Sequence, residues 1–334
     1  MKKILILQDL SLNGGTRQAL KLFDDKDFDN LKIALLKPNF KNILSSIRFI
    51  KNAIIFFIYI KKIININFIS HKIKATNKLK VITTSKKTLE FIANIDSQYH
   101  IHYCQHIEIW KLYESKLFIN FCRQKGYPDG KKLSFLIDQF YLNLSSIDKK
   151  YLNNISLIKN FYVVSFFLDE FINSINSNCN IFHQKVYPHI NKVNLNLPKE
   201  KNSVIFFIRG QKFKGDDLIE KIIFSKRLMN IKKYLVLSFI PKKNYLNKIN
   251  KISNLSVFVK PSDNQLSKLF SKANLLVNAS LSEGFGSLPQ EALYYNCNVI
   301  TSNTGWILNK KQSKRLKIIK KHKVNDYIKE IIKF

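Results

Sequence analysis

The fold of this 334-residue chain is decided by one stretch near its carboxyl end, LVNASLSEGFGSLPQEALYYNCNVITSNTG at residues 276–305. An apolar run ending at Ala279 predicts a buried strand, and the glycine loop SEGFGS follows it. Pro289 favours the first turn of a helix, where its missing N–H costs nothing, and Ser287 with Gln290 has capping-box spacing. Another apolar run after the helix predicts a second strand. This succession indicates a parallel α/β sheet with a ligand-binding loop.

The predicted helix start suits an anionic ligand. It presents the backbone amides of Gly286, Ser287 and Leu288 at the positive end of the helix dipole. Glu283 lies in the loop and Glu291 in the first turn, where its carboxylate can accept hydrogen bonds from ribose hydroxyls beside a bound phosphate. The alternative is a capped helix with a solvated glutamate.

A second stretch, VIFFIRGQKFKGDDL at residues 204–218, supplies positive charge. Arg209 follows a predicted strand, and Lys214 precedes the next helix, so a guanidinium and an ammonium at a strand end can grip a pyrophosphate. With the SEGFGS loop they would complete a diphosphate site that needs no metal, and no Asp-x-Asp pair follows a predicted strand. The alternative is a solvated basic loop.

A third stretch, ILILQDLSLNGGTRQALKL at residues 4–22, predicts strand, glycine turn and helix. Gly14 and Gly15 allow phosphate or sugar to approach a helix N-terminus, although a tight turn alone would also explain them. The pattern is not Gly-x-Gly-x-x-Gly, which disfavours a nicotinamide dinucleotide. The chain has only nine glycines where average usage gives about 23, so their clustering marks positions that need positive φ or close approach.

Short apolar runs alternate with helical patterns through the whole chain, twice over, which predicts two parallel α/β domains facing a central ligand cleft. The predicted strands are 3–8, 31–36, 80–84, 102–105, 161–166, 204–208, 234–239, 255–259, 275–279 and 298–302. The predicted organisation is an acceptor-binding domain at 1–187, a linker at 188–202, a nucleotide-sugar-binding domain at 203–320 and a closing helix at 321–334.

Three of these motifs resemble one known family. SEGFGSLPQEAL is similar to the Glu-x7-Glu signature of the retaining GT-B glycosyltransferases of family 4, also called glycosyl transferases group 1. RGQKFKG resembles that family's diphosphate clamp, and LSLNGGTRQAL its N-terminal glycine loop. The resemblance implies an α/β GT-B fold of two Rossmann-like domains. It also implies transfer of a sugar, with retention, from a nucleotide-diphosphate sugar to a glycan or lipid-linked saccharide, as in the synthesis of cell-surface polysaccharide or lipopolysaccharide.

The resemblance also implies roles for individual residues. Glu283 would face the donor sugar, Glu291 would bind the nucleotide ribose, and Arg209 with Lys214 would neutralise the leaving diphosphate in place of a metal. No cofactor is implied. The remaining donor-binding residues would be Gly14, Gly15, Phe285, Gly286, Ser287 and Leu288.

The segment YCQHIEIW, residues 103–110, resembles a Gln-[Asp/His]-x-Glu-x-Trp stretch of some rhamnosyltransferase-like members. That likeness implies a catalytic role for His106 near the reacting sugar, in the N-terminal domain. The alternative is a structural histidine at a strand end, the role expected for His100 and His102.

Three departures from the family pattern leave a non-catalytic GT-B scaffold as an alternative. Ile208 precedes the clamp arginine where glycine is usual, and Gly210 follows it. Asn296 and Asn298 replace residues that are normally small, glycine or proline, although asparagine tolerates the left-handed region. Few residues follow Gly305 to form a closing helix.

The net charge of +33, from 56 Lys+Arg against 23 Asp+Glu, indicates either an anionic partner or a composition rich in Lys, Ile and Asn. Residues 30–89 hold 13 basic residues and no acidic one, and 40–66 has the period of a basic amphipathic helix. That helix suits an anionic membrane surface or the core of the first domain. The tail at 307–334 adds ten basic residues. Nucleic-acid binding is disfavoured because no known module matches and the aromatic residues lie mostly in apolar strands.

The sequence predicts a cytoplasmic protein attached peripherally to the inner face of the plasma membrane. Its four cysteines form no Cys-x-x-Cys pair, which is typical of reduced, packed thiols. The apolar run at 4–7 is too short for a signal peptide, and the one at 52–60 too short to span a bilayer.

Overall fold

The computed structural model describes residues 2–7, 31–36, 66–69, 71–186 and 198–334. The chain divides into two compact units. The first unit comprises Met1–Glu108 and Leu133–Tyr187, and the second comprises Ile109–Lys132 and Pro188–Phe334.

The first unit is built on a parallel seven-stranded sheet. Its strands are β1 Lys2–Leu7, β2 Leu31–Leu36, β3 Ile66–Ile69, β4 Leu79–Thr83, β5 His100–Cys104, β6 Asn160–Val163 and β7 Asn180–His183. They lie in the order β3-β2-β1-β4-β5-β6-β7, and every side chain of β5 is buried. Complete burial, here including two histidines, is typical of a strand covered on both faces of a parallel sheet.

The second unit is built on a parallel six-stranded sheet. Its strands are β8 Glu200–Ile208, β9 Lys232–Leu237, β10 Leu255–Val259, β11 Ala273–Asn278, β12 Asn298–Ser302 and β13 Leu316–Ile319. They lie in the order β10-β9-β8-β11-β12-β13, so the strand order reverses between β8 and β11. This doubly wound order creates a crevice at the carboxyl ends of those two strands.

Helices follow several of the described strands in each unit. The described helices are α1 Lys86–Leu89, α2 Trp110–Tyr113, α3 Lys116–Gln124, α4 Gly130–Phe140, α5 Ser146–Leu157, α6 Phe166–Ile175, α7 Asp216–Ile223, α8 Lys243–Ile249, α9 Asp263–Lys272, α10 Ser287–Tyr294 and α11 Val324–Ile331. Serine begins many of them: Ser115, Ser145 and Ser165 each accept a first-turn N–H, and Ser262 forms a capping box with Gln265.

Residues 109–132 pack in the second unit, although they follow β5 directly along the chain. The hydroxyl of Tyr127 lies 2.9 Å from His322 Nδ1 and 3.0 Å from the hydroxyl of Tyr327. The backbone N–H of Tyr127 also donates to the Lys320 carbonyl at 3.2 Å. Burial raises the pKa of Tyr127 and lowers that of His322 to about 4, so these groups form an uncharged network at neutral pH. The predicted acceptor-binding domain at 1–187 includes this segment.

The predicted strands agree with the structure at 31–36, 255–259 and 298–302 and are shifted elsewhere. The strand prediction at 161–166 is wrong in its second half. Strand β6 ends at Val163, and Ser165 begins α6 by accepting the N–H of Leu168. Residues 200–202, predicted as the end of the linker, form the first residues of β8, where Glu200 pairs with Ala273 of β11.

Several sequence predictions lie outside the described residues. These are the Gly14-Gly15 loop, the amphipathic segment at 40–66 up to residue 65, and residues 188–197 of the linker. Within the described ranges, no helix combines the length and the apolar character needed to cross a membrane. All four cysteines have free thiols, and Cys104, Cys122 and Cys297 are buried.

Candidate functional site

Two loops meet where the strand order of the second sheet reverses. One follows β8 at residues 209–215, and the other follows β11 at residues 279–286. Because β8 and β11 are parallel neighbours, their carboxyl ends lie at the same edge of the sheet. This adjacency brings together the two motifs that the sequence analysis selected in the second half of the chain.

The loop after β8 folds around the carboxylate of Asp216. That carboxylate accepts the backbone N–H of Arg209 at 3.0 Å and that of Gln211 at 2.8 Å, and Gly210 between them has a φ of 76°. Burial raises the pKa of Asp216, while the hydrogen bonds from the loop act in the opposite direction. Asp216 therefore fixes the loop that carries Arg209, a role the sequence analysis did not assign. The signal for it is an aspartate in the first turn of the helix after a basic loop.

Gly215 ends this loop in the left-handed region, with a φ of 79°. A Cβ atom at this position would lie 1.9 Å from the carbonyl oxygen of Ala279, which is backbone and cannot move aside. Only glycine fits both the conformation and the space. The turn that carries Lys214 is thereby packed against the end of β11.

Arg209, Lys214 and Glu283 form one cluster. Lys214 Nζ lies 2.7 Å from Glu283 Oε2, and Arg209 Nη1 lies 3.8 Å from Glu283 Oε1. Glu283 is only 7% exposed. Burial and the charge of Arg209 lower the pKa of Lys214, while Glu283 raises it. Arg209 and Lys214 both approach the buried carboxylate of Glu283, and both also interact electrostatically with Asp216. The two cations are thus concentrated at one loop, where they can attract an anion.

The SEGFGS loop leads into helix α10 through Gly286, which has a φ of 83°. Ser287 is the first helical residue, and no side chain caps the helix, so the predicted Ser287–Gln290 capping box is wrong. The left-handed glycine turns the chain before the helix begins and leaves Ser287 inside it. Leu288 packs its side chain into the core, so its contribution to a ligand is limited to the backbone. Because no side chain caps α10, the backbone N–H groups at its start can bind an anion.

A third loop, after β12, supports the SEGFGS loop. The backbone N–H of Trp306 donates to the Phe285 carbonyl at 3.0 Å, and its indole N–H donates to the Gly286 carbonyl at 2.9 Å. The two aromatic rings stack at 6.0 Å. At Gly305 a Cβ atom would lie 2.3 Å from the Phe285 carbonyl oxygen. The sequence analysis counted Gly305 among the clustered glycines but assigned no role to Trp306, the tryptophan that follows it.

The structure thus joins Arg209, Lys214 and Glu283 directly. The other predicted donor-binding residues in the second unit, Phe285, Gly286, Ser287, Leu288 and Glu291, lie on the loop and helix that follow Glu283, and Glu291 is half-buried. Gly14 and Gly15 lie outside the described residues.

His106 belongs to the first unit and follows β5. Its Nδ1–H donates to the Ile107 carbonyl at 2.8 Å. Glu108, two residues later, accepts the backbone N–H of Lys86 at the start of α1, and burial raises its pKa. The glutamate of the QHIEIW stretch, Glu108, thus stabilises the start of α1.

His100 and His102 lie within the buried strand β5. Both approach the hydroxyl of Thr83, at 3.0 Å and 2.9 Å respectively. Burial lowers the pKa of His100 to about 4 and that of His102 to about 3, so both are neutral at pH 7. These contacts are those of structural histidines.

Asn296 is one of the departures from the family pattern. Asn296 adopts the left-handed conformation, with a φ of 57°, and so supplies the geometry that glycine would otherwise provide.

In the part of the chain that the structure describes, no group of three or more His, Cys, Asp or Glu side chains could hold a metal ion.

The chain resembles known proteins in sequence over its second half and in fold throughout. Residues 190–334 match the family model "Glycosyl transferases group 1". Sucrose-phosphate synthase from Thermosynechococcus elongatus is similar with a TM-score of 0.63 and 12% identity, covering 100% of this chain and 89% of that one. HepE from Anabaena, solved with UDP and glucose, has a TM-score of 0.57 and 12% identity, covering 99% and 89%.

A glycosyltransferase from Rickettsia africae has a TM-score of 0.51 and 13% identity, covering 99% of this chain and 89% of that one. No curated protein sequence matches the chain. At these identities the likeness concerns the fold, and it confirms the predicted α/β GT-B fold with two Rossmann-like domains.

Gly215→Ala tests the packing between the two loops. We expect a loss of stability of about 2 kcal/mol or more, because alanine would be strained at positive φ and its Cβ would clash with the Ala279 carbonyl. Urea unfolding followed by circular dichroism measures it. The control is Lys212→Ala, an exposed residue of the same turn, where we expect a change within about 0.5 kcal/mol. Equal midpoints for Gly215→Ala and the wild type would contradict the packing described here.

Proposed function

We propose that this protein is a glycosyltransferase that moves a sugar, with retention, from a nucleotide-diphosphate sugar to an acceptor. The observation that carries the proposal is the cluster of Arg209 and Lys214 around buried Glu283, beside the start of α10, which no side chain caps. The family model matched by residues 190–334 supports the same activity. HepE, which shares the fold, was solved with UDP and glucose.

In the proposed complex the donor diphosphate lies between the two cations and the first-turn amides of α10. Arginine can hold two phosphate oxygens at once, and the lysine ammonium adds a second positive charge. Glu283, held by both cations, would accept hydrogen bonds from the sugar hydroxyls. Glu291 would accept hydrogen bonds from the ribose hydroxyls, and Phe285 would line the donor site.

During transfer, the bond between the anomeric carbon of the sugar and the diphosphate oxygen breaks, the acceptor hydroxyl oxygen bonds to that carbon, and the hydroxyl proton passes to the departing diphosphate. Negative charge develops on the departing diphosphate. Arg209 and Lys214 would stabilise this charge, and such preorganised electrostatic stabilisation is usually the largest catalytic contribution. We propose that these two residues supply the positive charge that a metal supplies in other transferases. His106 would act near the reacting sugar from the first unit.

We further propose a glycan or lipid-linked saccharide as the acceptor and attachment to the inner face of the plasma membrane. The net charge of +33 supports attachment, since a basic protein surface is attracted to anionic lipids. A protein at that surface would meet lipid-linked acceptors.

A thermal-shift titration with UDP, GDP, dTDP and ADP in the presence of EDTA tests the donor site. We expect one nucleotide to raise the melting temperature of the wild type and to have little effect on Glu291→Ala, because a ligand stabilises only the state that binds it. Glu330→Ala, which removes a carboxylate of α11 outside the two loops of the site, is the matched control and should respond as the wild type does. If no nucleotide stabilises the wild type, the chain is better explained as a non-catalytic scaffold.

Arg209→Ala and Lys214→Ala test the clamp. Each should lower turnover by about 100-fold or more, the scale of one lost charge-stabilising donor. The assay measures release of nucleoside diphosphate from the donor that carries the stabilising nucleotide. Lys212→Ala removes the same charge from an exposed side chain of the same turn and should change turnover by less than about threefold. A loss below about threefold for either clamp variant would remove that residue from the proposed mechanism.

Flotation with liposomes tests the membrane proposal. The protein should float with vesicles containing anionic phospholipid and stay at the bottom with neutral vesicles, at about 0.1 M salt, where screening over about 10 Å leaves surface attraction intact. If the protein does not float with the anionic vesicles, the proposed membrane attachment is wrong, while the proposed donor site is unaffected.

A further inference from the structure

Trp110 contacts the turn that carries the proposed clamp lysine. It is the first residue of α2, within the segment 109–132 that packs in the second unit. Its ring stacks on that of Phe213, with ring centroids 4.6 Å apart and planes inclined by 23°. Phe213 is 5% exposed, whereas Trp110 is 37% exposed. A large aromatic side chain therefore covers the turn from the solvent side.

Phe213 is the residue just before Lys214, in the 3-10 turn Lys212–Lys214. Its carbonyl accepts the N–H of Leu281 at 2.8 Å, which ties the turn to the loop that carries Glu283. Lys214 Nζ lies 4.9 Å from the centroid of the Phe213 ring, within the range of a cation–π interaction. The Phe213 ring thus touches both Trp110 and the lysine ammonium.

Trp110 is itself firmly placed. The buried ring of Tyr113, one turn later, lies 6.2 Å from Trp110 and 6.3 Å from Phe213. Tyr113 in turn packs edge-on against Phe118 of α3 at 5.1 Å. Because this aromatic cluster belongs to a segment that is also held through Tyr127, the contact with Phe213 has a rigid support.

We propose that Trp110 is a positioning residue for the diphosphate clamp: through Phe213 it holds Lys214 at the place where the diphosphate binds. This inference rests on the proposed function. The Phe213 backbone is fixed by Leu281, and Trp110 supplies a stacked face of the packing that helps define the rotamer of the Phe213 ring. Without the tryptophan ring, Phe213 can rotate, and water reaches the lysine ammonium. The interaction with the terminal phosphate weakens, while contacts to the nucleoside do not change.

A positioning role and a merely structural role of Trp110 have different effects on ligand affinity. A structural tryptophan would affect stability and leave the relative affinities for nucleoside diphosphate and monophosphate unchanged. A residue that positions the clamp affects the diphosphate selectively, because only that ligand has the second phosphate group.

The experiment is calorimetric titration of the stabilising nucleoside diphosphate and its monophosphate into the full-length wild type, Trp110→Ala, Trp110→Leu and Trp110→Phe. We expect Trp110→Ala and Trp110→Leu to weaken diphosphate binding about tenfold, the scale of one charged hydrogen bond, with monophosphate binding changed less than about twofold. Trp110→Phe, which can still stack, should recover most of the affinity. Leu117→Ala, an exposed apolar residue of the same segment, is the control and should bind both ligands as the wild type does.

A double-variant cycle with Lys214→Ala completes the test. If Trp110 acts through Lys214, adding Trp110→Leu to Lys214→Ala should cause little further loss of diphosphate affinity. Equal losses for both ligands, or no loss in either Trp110→Ala or Trp110→Leu, would overturn the inference while the proposed function stands. If the wild type binds no nucleotide, the proposed function fails first and this inference with it. Should Trp110→Ala not fold, as judged by circular dichroism, Trp110→Leu decides, since it keeps apolar bulk without an aromatic ring.

Discussion

The contact between Gly215 and the carbonyl of Ala279 is the constraint on which the candidate site depends. It exists because β8 and β11 are parallel neighbours where the strand order of the second sheet reverses, so that both strands open onto the same edge. The absence of a side chain at Gly215 lets the turn after β8 pack directly on the end of β11. Lys214, one residue earlier, is thereby brought to Glu283 from a position 69 residues away in sequence. A larger residue would separate the two loops and with them the charges.

The charged cluster is not what holds the two loops of the site together. Removing a carboxylate and two cations from water is costly, and a buried ion pair often contributes little to stability. Here Arg209 and Lys214 share Glu283 as an ion-pair partner, and both also interact electrostatically with Asp216. Separate polar contacts hold the loops in place, since Asp216 binds the backbone of the clamp loop and Trp306 binds that of the SEGFGS loop. The charged side chains are therefore placed by groups that do not themselves need to contact the ligand.

Residues 109–132 come from the N-terminal half of the chain but pack in the second unit. The chain leaves the first unit after Glu108, contributes the Trp110 cluster and the Tyr127 network to the second unit, and returns at Leu133. Trp110 reaches the clamp turn, and Tyr127 reaches the residues after β13. In consequence, the QHIEIW stretch contributes His106 to one unit and Trp110 to the other, only four positions apart. A site built on the C-terminal sheet is thus supported by residues encoded in the N-terminal half.

The sequence by itself determined the α/β class, the doubled domain pattern and the strands at 255–259 and 298–302, because buried parallel strands require continuous apolar runs and scarce glycines mark tight backbone approaches. It also selected Arg209, Lys214 and Glu283, whose predicted roles remain proposals, and it anticipated the left-handed Asn296. Only the tertiary structure decided the start of α10 at Ser287, the hydrogen bonds of Asp216 and the stacking of Trp110 on Phe213. The stacking joins side chains from the two halves of the chain, and no local pattern of charge or periodicity specifies which distant partner a side chain meets. The Asp216 hydrogen bonds and the start of α10 are closer in sequence, but they depend on the path of the folded loops, which such patterns do not specify either.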